Sequence, residues 1–292
     1  MEIGLAFALF ASISSAIAQV TLRRGVLKAG ESSSAVFISI ASGTVLFTIT
    51  LSITGEWDKL YSLSWQGFTL LALGGITHYI AGRLLNYNCV RLIGANKAGI
   101  LATTSIFYSV FFGVLFLGEQ LTVLIVLGSL CIISGAAAVS IGREDKFSGM
   151  RGWAIPIGLL AGFCWGISGV MVKPAIIEIG SPVAAVFISY LASFIIVASF
   201  LLRRSYRQRI LRLRSRSLIF LGLSSLFVSI AYIMKFFGLS YSPVSMVQPL
   251  ANTNIFFILL FSFIVNRKIE SFNWKIITGM VIVVVGGFLF FL

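Results

Sequence analysis

Two cationic side chains stand inside otherwise apolar stretches: Arg83 in LGGITHYIAGRLLNYNCV and Lys235 in SSLFVSIAYIMKFFGLSY. A charge at the centre of a membrane helix costs roughly 2.5–3.5 kcal/mol on insertion scales, so such residues face a partner or a wet cavity, or reach back to an interface. Tyr79, Arg83 and Asn86 follow one helical stripe, and Tyr232 with Lys235 makes a corresponding one. In a cavity, these residues would attract a carboxylate or phosphate and surround it with hydrogen-bonding groups. The alternative is that both long side chains snorkel to the nearer interface, since each lies within about two turns of a helix end.

The acidic residues Glu2, Glu31, Glu56, Asp58, Glu119, Glu144, Asp145, Glu178 and Glu270 all fall at helix ends or in links. No carboxylate is left in the membrane interior to exchange a proton for a cationic substrate. An anionic or zwitterionic substrate is the better match. Further polar stripes are Lys97, Thr104 and Tyr108, and Ser245, Gln248 and Asn252. Unsatisfied amides in hydrocarbon cost several kcal/mol, so Gln248 and Asn252 require a facing helix or a cavity. Trp165, with Ser168, sits in the middle of its segment, where it either walls a cavity or packs. His78, the sole histidine, is either a satisfied buried group or a proton carrier. Pro249 removes a backbone donor and favours a local hinge. Cys89, Cys131 and Cys164 are widely spaced and have no histidine partner nearby, so neither a metal site nor a disulfide framework is expected, and no cofactor is implied.

The elements that position these residues follow from composition. With 292 residues, 58% hydrophobic and only 11% charged, at a mean hydropathy of +1.03, the chain reads as an all-α polytopic membrane protein. The first segment lacks a basic leader and reads as a retained span. Interruptions by charge, Gly or Pro divide the chain into ten runs near the 20 residues a bilayer needs, at about 3–22, 34–54, 65–87, 95–117, 121–141, 153–172, 183–202, 218–240, 243–265 and 273–292. Trp57, Trp65, Trp153 and Trp274 fall at run ends, where amphipathic rings favour the headgroups.

The pentapeptide AVFIS occurs at Ala35–Ser39 and again at Ala185–Ser189, and it marks a duplication. Leu9/Leu159, Ile17/Ile167 and Val20/Val170 keep the same offset of 150. Ala102/Ala251, Thr104/Thr253 and Ile106/Ile255 follow at 149, then Gly128/Gly279 and Gly135/Gly286 at 151. Two units of five spans are expected, at 1–142 and 153–292, joined by a basic linker at 143–152. Five is odd, so the copies cross the membrane in opposite senses, the inverted arrangement that places a carrier's site at the midplane. At offset 149, Arg83 corresponds to Tyr232, Lys235 to Asn86, and Thr103 to Asn252. The pentapeptide residues themselves are expected to pack.

The net charge of +13 follows topology. Lys and Arg cluster in alternate links, including RRSYRQRILRLRSRS at 203–217, whereas the opposite side carries only Lys59 and Lys173. The positive-inside rule puts both termini outside the cytoplasm of a cell (inner) membrane, with Arg203 to Arg216 against anionic lipid. Nucleic-acid binding is disfavoured.

The stretch GANKAGILATTSIFYSVFFGVLFLGEQLTVLIVLGSLCIISGAA resembles the EamA-type ten-span carriers of the drug/metabolite transporter superfamily. Lys97 stands at their basic helix-start position, and Gly118, Glu119, Leu121 and Thr122 match their LGE-x-LT turn. The resemblance extends over both units, more loosely in SPVSMVQPLANTNIFFILLFSFIVNRKIES. It implies a metabolite carrier with a cavity lined by spans 1, 3, 4, 6, 8 and 9, and a family habit of cytoplasmic termini opposite to the charge count. The function expected is a secondary transporter of a small anionic or zwitterionic metabolite (an amino acid, organic acid or phosphorylated sugar) working by alternating access, with an unidentified coupling ion. A flippase for an anionic lipid head group is the alternative. An intramembrane enzyme would need a convergent catalytic set that is missing here.

Overall fold

A computed structural model describes residues 2–29, 32–93, 95–140, 151–211, 213, 215–265, 274–289 and 291–292. The proposed basic linker lies outside these residues up to position 150, as do Arg212, Arg214 and the side chains of Lys97 and Arg216. The described residues are helical throughout, with short links.

In chain order the helices are α1 (Glu2–Ala29), α2 (Ser33–Thr54), α3 (Trp65–Gly75), α4 (Arg83–Ile93), α5 (Ala95–Ala102), α6 (Ser105–Leu117) and α7 (Val123–Ser140). The second unit contains α8 (Arg151–Ile179), α9 (Pro182–Ser199), α10 (Arg204–Leu211), α11 (Ser215–Tyr241), α12 (Val244–Ala251), α13 (Asn254–Val265) and α14 (Trp274–Phe288). Among the described residues seven stretches are long and apolar enough to cross a membrane: Glu2–Val26, Ser33–Thr54, Trp65–Ile93, Trp153–Ile179, Pro182–Leu202, Ser217–Tyr241 and Val244–Phe261. The outer surface agrees with such a setting. Val45, Ile49 and Ile53 form an exposed stripe one turn apart, as do Phe107, Phe111 and Leu115, while Trp57, Trp65, Trp153 and Trp274 are exposed at helix ends.

Two expectations need correction. The fourth run divides into α5 and α6, and the ninth into α12 and α13, at repeat-equivalent positions. Thr104 N–H bonds to Leu101 O (3.3 Å) and Thr253 N–H to Leu250 O (3.1 Å), so each helix tightens from i−4 to i−3 bonding. Both threonine hydroxyls donate to those same carbonyls at 2.7 Å. The hydroxyl shares the helix's own acceptor at each tightened turn, as threonines also do within the unbroken α1 and α2. Pro249 is not the cause, because the first unit breaks equally without a proline. The third run also departs from a regular helix, with a π-helical segment at Ile76–Gly82 between α3 and α4.

The inversion is visible in what meets at each end. Tyr206 OH, from α10, donates to Ser33 O at the start of α2 (3.1 Å). At the opposite end Glu56, after α2, accepts from Ser181, before α9, and Ser64 N–H donates to Glu178 Oε1 (2.6 Å). The starts of α2 and α9 are repeat mates, and they lie at opposite ends. Packing repeats the pattern: α1 runs along α11 as α3 and α4 run along α8, and α13 contacts α1 as α6 contacts α8. In the pair α7/α14 a Cβ on Gly135 would stand 2.7 Å from Gly279 O, and one on Gly286 2.8 Å from Gly128 O. Those glycines allow antiparallel backbones to touch through the repeat's own equivalents.

Candidate functional site

A cavity lies between the two units, lined by α1, the π-helical segment, α4, α8, α11, α12 and α13. Arg83, Lys235, His78, Tyr232, Trp165, Gln248 and Asn252 all line it. A narrower crevice continues beyond it toward the end opposite the basic links, walled by Tyr79, Ser168 and Val172, with His78, Tyr232 and Lys235 shared between the two. No carboxylate stands among the described lining residues of either.

Arg83 does not snorkel. It is 1% exposed, its Nη1 donates to Ser39 Oγ (2.7 Å), and its Nη2 donates to Tyr190 OH. Its guanidinium lies 4.7, 5.2 and 4.9 Å from the ring centres of Tyr79, Tyr190 and Tyr232. Three aromatic faces and two hydroxyls therefore surround the charge, and Nε is left without a partner among the described residues. Ser39 closes the first AVFIS copy and Tyr190 directly follows the second, so the pentapeptide packs, as expected, but also carries the group that holds Arg83.

Lys235 is 8% exposed and lines both cavity and crevice. Between the two cations stands His78. Its Nδ1 meets Ser168 Oγ (2.6 Å) and its Nε2 meets Tyr232 OH (2.7 Å). Ser168 Oγ also lies 3.0 Å from Trp165 O; when the serine donates there it accepts from Nδ1–H, and Nε2 then accepts from the tyrosine hydroxyl. Trp165 Nε1 in turn donates to His78 O (3.3 Å), and a Cβ on Gly82 would stand 2.4 Å from that nitrogen. The indole thus fits a backbone groove that only glycine leaves open, which anchors the π-helical distortion next to the cavity.

Gln248 and Asn252 converge on Ser105, donating to its Oγ at 3.1 and 3.2 Å. Gln248 Oε1 is left without a partner among the described residues. The fourth run, expected to line the cavity, supports it from behind through Ser105. Thr104 is turned to its own helix and Tyr108 packs on Phe163 (5.2 Å), so neither is brought to the cavity. Asn86 is buried away from the cavity lining, with both amide atoms unpartnered among the described residues. Sequence reasoning missed Ser39, Tyr190, Tyr87, Ser105 and Gln19. Tyr190, a polar ring within an apolar run and close to the repeated pentapeptide, was the one available signal. Among the described residues no group of three His, Cys, Asp or Glu could hold a metal ion.

This arrangement brings two cations, an imidazole and the side-chain amides of Gln248 and Asn252 together in one concave site. A family model described as the EamA-like transporter family matches residues 2–141 and again 152–292. No curated protein matches the chain significantly. A solved structure titled only "Crystal structure of protein" superposes with a TM-score of 0.70 at 14% identity, over 97% of this chain and 95% of that one, a likeness of fold alone.

Proposed function

Because the chain belongs to the EamA-like transporter family, as its two matched halves show, we propose that it is a secondary carrier of a small anionic or zwitterionic metabolite. The observation that carries this reading is a cavity between the two units whose described lining holds Arg83 and Lys235 and no carboxylate. Amino acids, organic acids and phosphorylated sugars fit that chemistry. Lys235 receives the anionic group, and Gln248, held on Ser105 through Nε2, lines the same cavity. The two units, at 1–142 and 153–292, rock about the cavity and expose it alternately to the two sides. The shorter helices complete ten crossings, in a cell (inner) membrane, with Arg203 to Arg216 at anionic lipid.

The test is a thermal-shift panel of carboxylates, phosphate esters and amino acids on purified protein, followed by counterflow in proteoliposomes with the compound that stabilises most. Stabilisation and exchange confined to anionic and zwitterionic compounds are expected. Exchange of cations, with no response to any anion, would overturn the reading.

A further inference from the structure

At the end opposite the basic links, the units are joined by carboxylates that cross from one to the other. Glu119 follows Gly118, which closes α6 in the left-handed conformation (φ 63°), and its carboxylate reaches the start of α12. Oε1 accepts from Val244 N–H (2.7 Å) and Oε2 from Ser245 N–H (2.9 Å). Those amides belong to the first turn of a helix, where donors are unpaired and the dipole favours negative charge. Gly113 makes the reach possible, because a Cβ there would stand 2.8 Å from Glu119 Oε2. On the other side of the same turn, Lys173 Nζ from α8 donates to Leu239 O in the last turn of α11 and to Ser242 O just after it (2.7 Å). The α11/α12 turn is therefore held by an acid at its helix start and an amine at its helix end. Glu119 and Lys173 line one crevice with Leu117, Ile177, Tyr241 and Pro243. Glu56 to Ser181 and Ser64 to Glu178 join the units at this same end.

We propose that Glu119 and Lys173 are the latch of a gate that closes this end of the transport path. This rests on the alternating-access reading but concerns a different part of the molecule. The narrow crevice walled by Val172 and Leu239 lies between the cavity and this end and is bounded by α3, the π-helical segment, α8 and α11, so a solute leaving this way must part α11 from α8. Lys173 ties those two helices together, and Glu119 fixes the α11/α12 turn from the end of α6. Parting them requires releasing Lys173 from the end of α11 and Glu119 from Val244 and Ser245.

The test uses the full chain in nanodiscs with Cys89, Cys131 and Cys164 replaced by serine and a reporter, Val172→Cys, in the crevice wall. Maleimide labelling of the reporter and hydrogen exchange of residues 239–246 are followed in the parent, Glu119→Gln, Lys173→Met and Glu119→Asp. Labelling about tenfold faster in the first two variants is expected, for two charge-assisted bonds lost, with partial restoration by aspartate. Faster exchange at Val244 and Ser245 with unchanged labelling would make the carboxylate a helix cap only and overturn the gate. Comparing labelling with and without the best-binding anion separates this from the substrate reading. A variant that opens the gate while no anion binds would contradict the substrate reading alone.

Discussion

Arg83 and Lys235 are both buried cations on the wall of one cavity, and their protein partners differ. Arg83 is enclosed by Ser39, Tyr190 and the faces of Tyr79, Tyr190 and Tyr232. Lys235 borders both the cavity and its continuation, and no protein acceptor takes its amine among the described residues. A planar guanidinium with a fixed fork of donors suits a built-in anchor, whereas a compact ammonium on a flexible stem suits a ligand that comes and goes. The comparison separates architecture from binding. Arg83 ties α4 to α2 and α9, and Lys235 is the cation proposed to meet the substrate.

The largest expected effect follows from emptying the enclosure. Arg83→Met leaves Ser39 and Tyr190 hydroxyls and three ring faces without their cation, and should destabilise the fold by on the order of 3 kcal/mol. Reduced thermal midpoint and reduced monodisperse yield would show it, and Arg83→Lys should not restore either. Gly82→Ala, next in size, drives a methyl into Trp165 Nε1 and should cost about 1–3 kcal/mol, read in the same melts. Ser39→Ala removes one donor's acceptor and should cost about 1 kcal/mol. Lys235→Met should change stability least, by about 0.5 kcal/mol or less, because methionine keeps the packed stem and no hydrogen bond among the described residues is lost. A Lys235→Met melt as damaging as that of Arg83→Met would erase the distinction.

The duplication was legible in the sequence because helix packing repeats its spacing rules, and the offsets led to real contacts. Arg83 and its repeat mate Tyr232 do meet, at 4.9 Å, as residues near a pseudo-two-fold axis must. Thr104 and Thr253, paired by sequence, make the same 2.7 Å bond to the same relative carbonyl. A difference between the units was also meaningful. Ser12 bonds to Thr253 (2.9 Å), and its mate Gly162 instead leaves room for the Thr104 hydroxyl, where a Cβ would stand 2.2 Å away. The helix breaks were not legible, because threonine is common within spans and makes the same bond to a backbone acceptor in helices that stay unbroken. Nor was the enclosure of Arg83. Tyr190 and Ser39 come from α9 and α2, and helical periodicity says nothing about which faces of different helices converge. For the same reason nothing in the sequence placed Thr104 and Tyr108 against α8, where Gly162 and Phe163 receive them.

The central claim, that Lys235 and not Arg83 is the cation the substrate touches, is tested most directly by the affinity of the best-stabilising anion for wild type, Lys235→Arg and Lys235→Met. The account predicts that methionine weakens binding at least about tenfold while the protein stays folded, and that arginine, which keeps the charge, retains most of it. Wild-type affinity in Lys235→Met would contradict it.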